Sequence, residues 1–156
     1  SQVEYMQYMF RDASVFNQNL DSWDTSKVRD MTRMFYRAKS FNGSIAAWNI
    51  SRVKYLSGMF HGAKNFDQNI SSWNTSRVCY VSTIFAGARA FNQDVSSWDL
   101  SNLFGKDCEE DKGKRRTEKD EFTGIFDGAS SFRQNLCPWG KALRGKKDSR
   151  NYLWKD

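Results

Sequence analysis

Apolar and polar positions recur along this chain with a fixed period. Trp23, Trp48, Trp73 and Trp98 stand 25 residues apart. Phe10, Phe35, Phe60 and Phe85 keep the same step, as do Ala13, Ala38, Ala63 and Ala88. So do Phe16, Phe41, Phe66 and Phe91, then Leu20, Ile45, Ile70 and Val95, and finally Val3, Val28, Val53 and Val78. A fifth copy, with Phe126, Ala129, Phe132, Leu136 and Trp139, is displaced from the fourth by 41 residues, one period and a 16-residue insertion. Units that repeat at such a period cannot bury an apolar side alone and do so by stacking.

The spacing within one unit sets the expected elements. Val28, Met31, Met34, Phe35 and Ala38 follow one another at steps of three and four, which predicts a short helix with one buried face. Asp24, Thr25 and Ser26 precede it as candidate caps. The stretch from Phe41 to Trp48 is too short for a second helix and suits a turn feeding a short strand near Ile45. Ile45 and Trp48 are three apart, so a bulge or bend is expected between them. One short helix and one short strand per coil make an α/β, right-handed, leucine-rich-repeat-like solenoid with a parallel sheet on one face. Its core ladder is Phe10, Phe35, Phe60, Phe85 and Phe126 beside Trp23, Trp48, Trp73, Trp98 and Trp139. Asn17, Asn42, Asp67 and Asn92 are expected to form a polar ladder serving the turns. Residues 1–140 form the five-repeat array, residues 104–121 a charged insertion within it, and residues 141–156 a basic cap or tail.

The units from Met9-Phe10 through Phe16-Asn17-Gln18-Asn19-Leu20 to Trp23-Asp24-Thr25-Ser26, and Phe66-Asp67-Gln68-Asn69-Ile70 to Trp73-Asn74-Thr75-Ser76, resemble the BspA-like, lipoprotein-type surface repeats. The resemblance covers residues 1–103 and 122–140. It implies a leucine-rich-repeat-like fold, a binding or adhesion role at a cell surface and no catalytic residues. The chain departs from the pattern at the insertion, at Arg133 and at Cys137-Pro138.

Composition narrows the chemistry. The 156 residues carry 24 Lys+Arg against 18 Asp+Glu, a net charge of +6, with one His and three Cys. No apolar run approaches the ~18 residues of a membrane-spanning helix. The chain opens without Met and without a cationic start leading into an apolar run, so any targeting segment is expected to have been removed. His61 lies in a slot that other copies fill with Arg11, Tyr36, Ala86 and Asp127, which argues for surface over a catalytic base. Phosphate-binding glycine motifs and zinc-type Cys/His clusters are absent. No enzyme and no cofactor are expected. Cys79 is expected to be an exposed free thiol. Cys108 and Cys137 are a candidate disulfide, with two isolated thiols as the alternative.

Two basic columns repeat with the period, Lys27, Arg52 and Arg77, and Lys39, Lys64 and Arg89. They read either as solvated faces or as a surface for an anionic partner. Lys146, Lys147 and Arg150 in the tail are further candidates. The expected function is a non-catalytic repeat scaffold for protein–protein interaction, as a docking subunit of a larger multi-subunit assembly or as a surface binding module. The alternative is an extracellular adhesion module binding anionic polysaccharide or a cell-surface protein. Nucleic acid is disfavoured, because the net charge is modest and no recognition fold accompanies it. The compartment is a cell surface by resemblance, or an organelle in the assembly version.

Overall fold

The computed structural model describes residues 2–103, 108 and 123–142. Within them the chain winds into stacked coils, each lying on the next at a 25-residue offset. The backbone shows the rule. Met6, Tyr8, Phe10 and Asp12 donate their N–H groups to the carbonyls of Asp30, Thr32, Met34 and Tyr36 in the following coil, at 2.9, 3.1, 2.8 and 2.7 Å. Met31, Arg33, Phe35 and Arg37 do the same to Tyr55, Ser57, Met59 and His61, and Leu56, Gly58, Phe60 and Gly62 to Tyr80, Ser82, Ile84 and Ala86.

Between these residues the chain bonds to itself. The Met34, Tyr36, Ala38 and Phe41 N–H groups reach the carbonyls of Met31, Arg33, Phe35 and Ala38. Each such bond spans three residues and closes a single tight turn. The helix expected over Val28 to Ala38 is therefore not formed. Nor is a strand near Ile45. Trp139–Ala142 is the one helix among the described residues. Strand-like pairing is confined to isolated parallel bridges that link Tyr5, Asp30, Tyr55 and Tyr80 in succession.

The physical reason lies in two backbone columns. Tyr8, Arg33, Gly58, Thr83 and Gly124 have φ of 61, 53, 63, 53 and 58°, and Asp12, Arg37, Gly62, Gly87 and Gly128 repeat the feature four residues on. A left-handed residue turns the chain out of the helical path, so the i→i+4 bond is never reached. Glycine adopts this conformation freely, whereas other residues give up roughly 1–2 kcal/mol there. Tyr8, Asp12, Arg33, Arg37 and Thr83 bear that cost.

The apolar rungs fill the space inside the coils. Val28, Met31, Phe35, Ala38, Phe41 and Ile45 are fully buried, as are their counterparts in the next two coils. Two phenylalanine columns stand side by side. Phe35, Phe60, Phe85 and Phe126 follow one another at 5.8, 5.8 and 5.6 Å between ring centroids. Each packs on its neighbour within the coil, for example Phe60 on Phe66 at 3.8 Å. The tryptophans line up too, Trp73 to Trp98 at 6.3 Å and Trp98 to Trp139 at 6.4 Å. Trp48 points inward beside Ile45 because the chain bends between them, the Trp48 N–H bonding the Ile45 carbonyl at 3.2 Å.

Polar side chains fasten the outer edge. The Asn17, Asn42, Asp67 and Asn92 side chains accept from the backbone N–H groups of Asn42, Asp67, Asn92 and Arg133 at 2.7 to 2.9 Å. That is the polar ladder expected from the repeat. The first coil packs on one side only within the described chain, and Val3, Tyr5, Tyr8 and Met9 stay exposed there.

The indole nitrogens are not equivalent. Trp48, Trp98 and Trp139 donate to the carbonyls of Leu20, Ile70 and Val95 at 2.7, 3.1 and 2.9 Å. The buried Trp73 indole nitrogen has no hydrogen-bond partner. All four replacements by Phe remove similar volume, but only at Trp73 is no bond lost. Trp48→Phe should thus cost about 1–2 kcal/mol more than Trp73→Phe in urea denaturation. Equal costs would show that the indole bond contributes nothing.

Candidate functional site

Cations recur on the exposed faces of this stack. Lys39, Lys64 and Arg89 all lie exposed at equivalent positions of successive coils. Backbone bonds from Asn65 to the Lys39 carbonyl (3.2 Å) and from Ala90 to the Lys64 carbonyl (3.0 Å) hold them in register. Neighbouring positions are thus about 5 Å apart, the spacing of hydrogen-bonded chains. In the second column Arg52 and Arg77 are exposed and Lys27 is half-buried. The Lys27 ammonium donates to the Gln2 side chain at 2.8 Å. Lys146, Lys147 and Arg150 lie outside the described residues, as does the insertion apart from Cys108.

A third cationic feature was not legible from the period. The guanidinium carbons of Arg11, Arg33 and Arg37 lie 5.5, 5.6 and 5.0 Å from the centre of the Tyr36 ring. Arg11 is also 5.7 Å from the Tyr8 ring, and His61 stacks on Tyr36 at 4.7 Å. The outcome is a ladder of rings and guanidinium groups on the outside of the first three coils. Arg33 and Arg37 reach it because they occupy the two left-handed positions, from which a side chain projects outward. The signal in the sequence was arginine in columns that other coils fill mainly with glycine.

Electrostatics at this ladder are one-sided. The His61 imidazole is held below its ordinary pKa, first by burial and then by the charges of Arg37 and Arg33, with Asp127 opposing. Asp12 pairs with Arg11 at 3.2 Å, but both side chains are about half exposed, where such a pair is worth little. Elsewhere the acidic residues are used locally. Asp24, Asn49, Asn74 and Asp99 each accept the backbone N–H two residues on. Hydrogen bonds from Ser26 and Ser101 hold the Asp24 and Asp99 carboxyls below the usual range. Among the described residues no cluster of His, Cys, Asp or Glu is grouped to hold a metal ion, and no helix is long and apolar enough to cross a membrane.

The cysteines pair otherwise than expected. Cys79 is buried and bonded to Cys108, with Cα atoms 5.6 Å apart, while Cys137 is free and exposed. The Cys108–Cys137 pairing is thus replaced, and Cys79 is not a surface thiol. The helical reading put Cys79 outward on an open face, whereas Cys108 covers it there together with Tyr80, whose hydroxyl donates to the Cys108 carbonyl at 3.0 Å.

The family model described as a Mycoplasma protein of unknown function, DUF285, matches residues 4–110. The chain belongs to the DUF285 family. The matched stretch takes in the first four coils, and the fifth coil continues the DUF285 pattern by stacking Phe126 on Phe85. No curated protein and no solved structure matches the chain significantly.

Proposed function

We propose that this DUF285 chain is a non-catalytic repeat scaffold that presents an extended face to a protein partner, as a docking subunit of a larger assembly or as a surface binding module. The observation that carries this reading is how the side chains divide. The Phe and Trp rungs are spent on the core, while exposed positions such as Lys39, Lys64 and Arg89 hold like charges at the same place in successive coils. Such a surface is extended, rigid and periodic, which suits recognition of a macromolecule over enclosure of a small substrate. The resemblance to BspA-like surface repeats, themselves similar to leucine-rich repeats, supports the surface version.

The second reading, an extracellular adhesion module, is favoured by the Cys79–Cys108 disulfide, a bond that persists in oxidising surroundings. Charge reversal tests the scaffold reading. Lys27→Glu, Arg52→Glu and Arg77→Glu together should abolish recovery of protein partners from a native extract at low salt, because like charges then face the partner. Partners recovered equally by the triple variant would show that this column is solvated decoration.

A further inference from the structure

We propose that Arg11, Arg33 and Arg37 around Tyr36 form the head of a binding site for a sulfated polysaccharide, continued by the Lys39, Lys64 and Arg89 column. The inference rests on the scaffold reading but names a different face and a different ligand. Its first support is convergence. Three guanidinium groups lie within 5.6 Å of one ring centre, so they sit roughly a Debye length or less from one another. The opposing carboxylates are Asp12, half-exposed and paired with Arg11, and Asp127, which acts on His61. Mutual repulsion opposes such a gathering, and an incoming anion relieves it.

The second support is where two of the arginines stand. Arg33 and Arg37 occupy left-handed backbone at φ of 53 and 56°, where later coils hold Gly58, Thr83 and Gly124 in one column and Gly62, Gly87 and Gly128 in the other. Backbone strain kept where glycine would relieve it marks positions at which the side chain is needed. The His61 pKa, lowered first by burial, is lowered further by the charges of Arg37 and Arg33, with Asp127 opposing.

The third support selects the ligand. Lys39, two residues beyond Arg37, opens a line of exposed cations at one per coil, and among the described residues none of the three makes an ion pair. A linear polymer with anionic groups at regular intervals matches a periodic row of cations. A folded acidic protein presents its charges without such a period. Guanidinium groups add a planar fork of donors that meets the paired oxygens of a sulfate ester.

The test uses the full chain and calorimetric titration with a size-defined heparin oligosaccharide. Unsulfated heparosan of equal length, a DNA duplex and polyglutamate serve as comparison ligands. Heparin should bind, and Arg33→Gly with Arg37→Gly should weaken it at least tenfold and lower the salt slope by about 2. The double variant installs the residue of the later coils, so its melting temperature should hold or rise. If it melts early, Arg33→Asn with Arg37→Asn replaces it, asparagine being tolerant of left-handed backbone. Arg52→Gln with Arg77→Gln removes the same charge from the other column and should leave heparin affinity within about threefold. Heparin affinity unchanged in the arginine variant would overturn the proposal. So would an equal loss in the control pair, or equally tight binding of heparosan, DNA or polyglutamate. None of these results touches partner recovery through the Lys27, Arg52 and Arg77 column, so the scaffold reading stands or falls separately.

Discussion

Phe60→Ala should cost about 3–5 kcal/mol of unfolding free energy, the range for a fully buried aromatic. Phe60 is fully buried in the middle of the Phe35, Phe60, Phe85 and Phe126 column. It meets Phe66 at 3.8 Å within its coil and Phe35 and Phe85 at 5.8 Å above and below. Neither neighbouring coil can close the gap, because their spacing is set by backbone hydrogen bonds on either side of the ring, from the Phe35 N–H to the Met59 carbonyl and from the Phe60 N–H to the Ile84 carbonyl. Stability in a stacked array is nearly a sum of nearest-neighbour interfaces, so emptying the middle coil weakens two of them together. Guanidinium denaturation of the wild type and the variant measures the cost and also reveals whether cooperativity is lost. A near-neutral substitution would mean that Phe60 does not hold the interior.

Reduction of the disulfide should have the next largest effect, about 3 kcal/mol. Cys79 and Cys108 are 29 residues apart in sequence, and closing a loop of that order removes roughly 3–4 kcal/mol of entropy from the unfolded chain. The bond also holds the Tyr80 hydroxyl against the Cys108 carbonyl and covers the Tyr55–Tyr80 stack at 5.1 Å. Melting with and without dithiothreitol, alongside Cys79→Ser and Cys137→Ser, separates the contributions. Cys137 is free and exposed, so its variant should melt like the wild type. A Cys137→Ser protein that loses the stabilisation, with Cys79→Ser unaffected, would show that the pairing is Cys108–Cys137 after all.

The stacking was legible because burial in a repeat array leaves the same residue type at the same place in every unit. Phe35, Phe60 and Phe85 record it directly, and so does the Asn17, Asn42, Asp67 and Asn92 ladder. The local backbone was not legible, for a reason peculiar to tight turns. Corners that close every three residues put Met31, Met34, Phe35, Ala38 and Phe41 inward at the same steps of three and four that mark a helix. The discriminating sign was glycine at Gly58 and Gly62, and again at Gly124 and Gly128, four apart inside the supposed helix where it is disfavoured. Misreading that segment had consequences for the chemistry. It turned Cys79 outward, and it hid the convergence of Arg33 and Arg37, which only a left-handed backbone brings around Tyr36. The Lys39, Lys64 and Arg89 column survived because a 25-residue period places it correctly whatever the local conformation.

The fifth coil seats Phe126 on Phe85 at 5.6 Å, within the range of the earlier pairs, although 41 residues separate these two rings in sequence and 25 separate the earlier partners. Its backbone ladder resumes as well, Thr83, Phe85 and Gly87 donating to Thr123, Ile125 and Asp127. Stacking of the fourth and fifth coils thus tolerates extra chain between them, and Cys108 within that extra chain is tied back to Cys79. Evolution can therefore vary the length of that segment so long as the Cys108 tie is kept, and an engineer can use the same seam to display a foreign peptide.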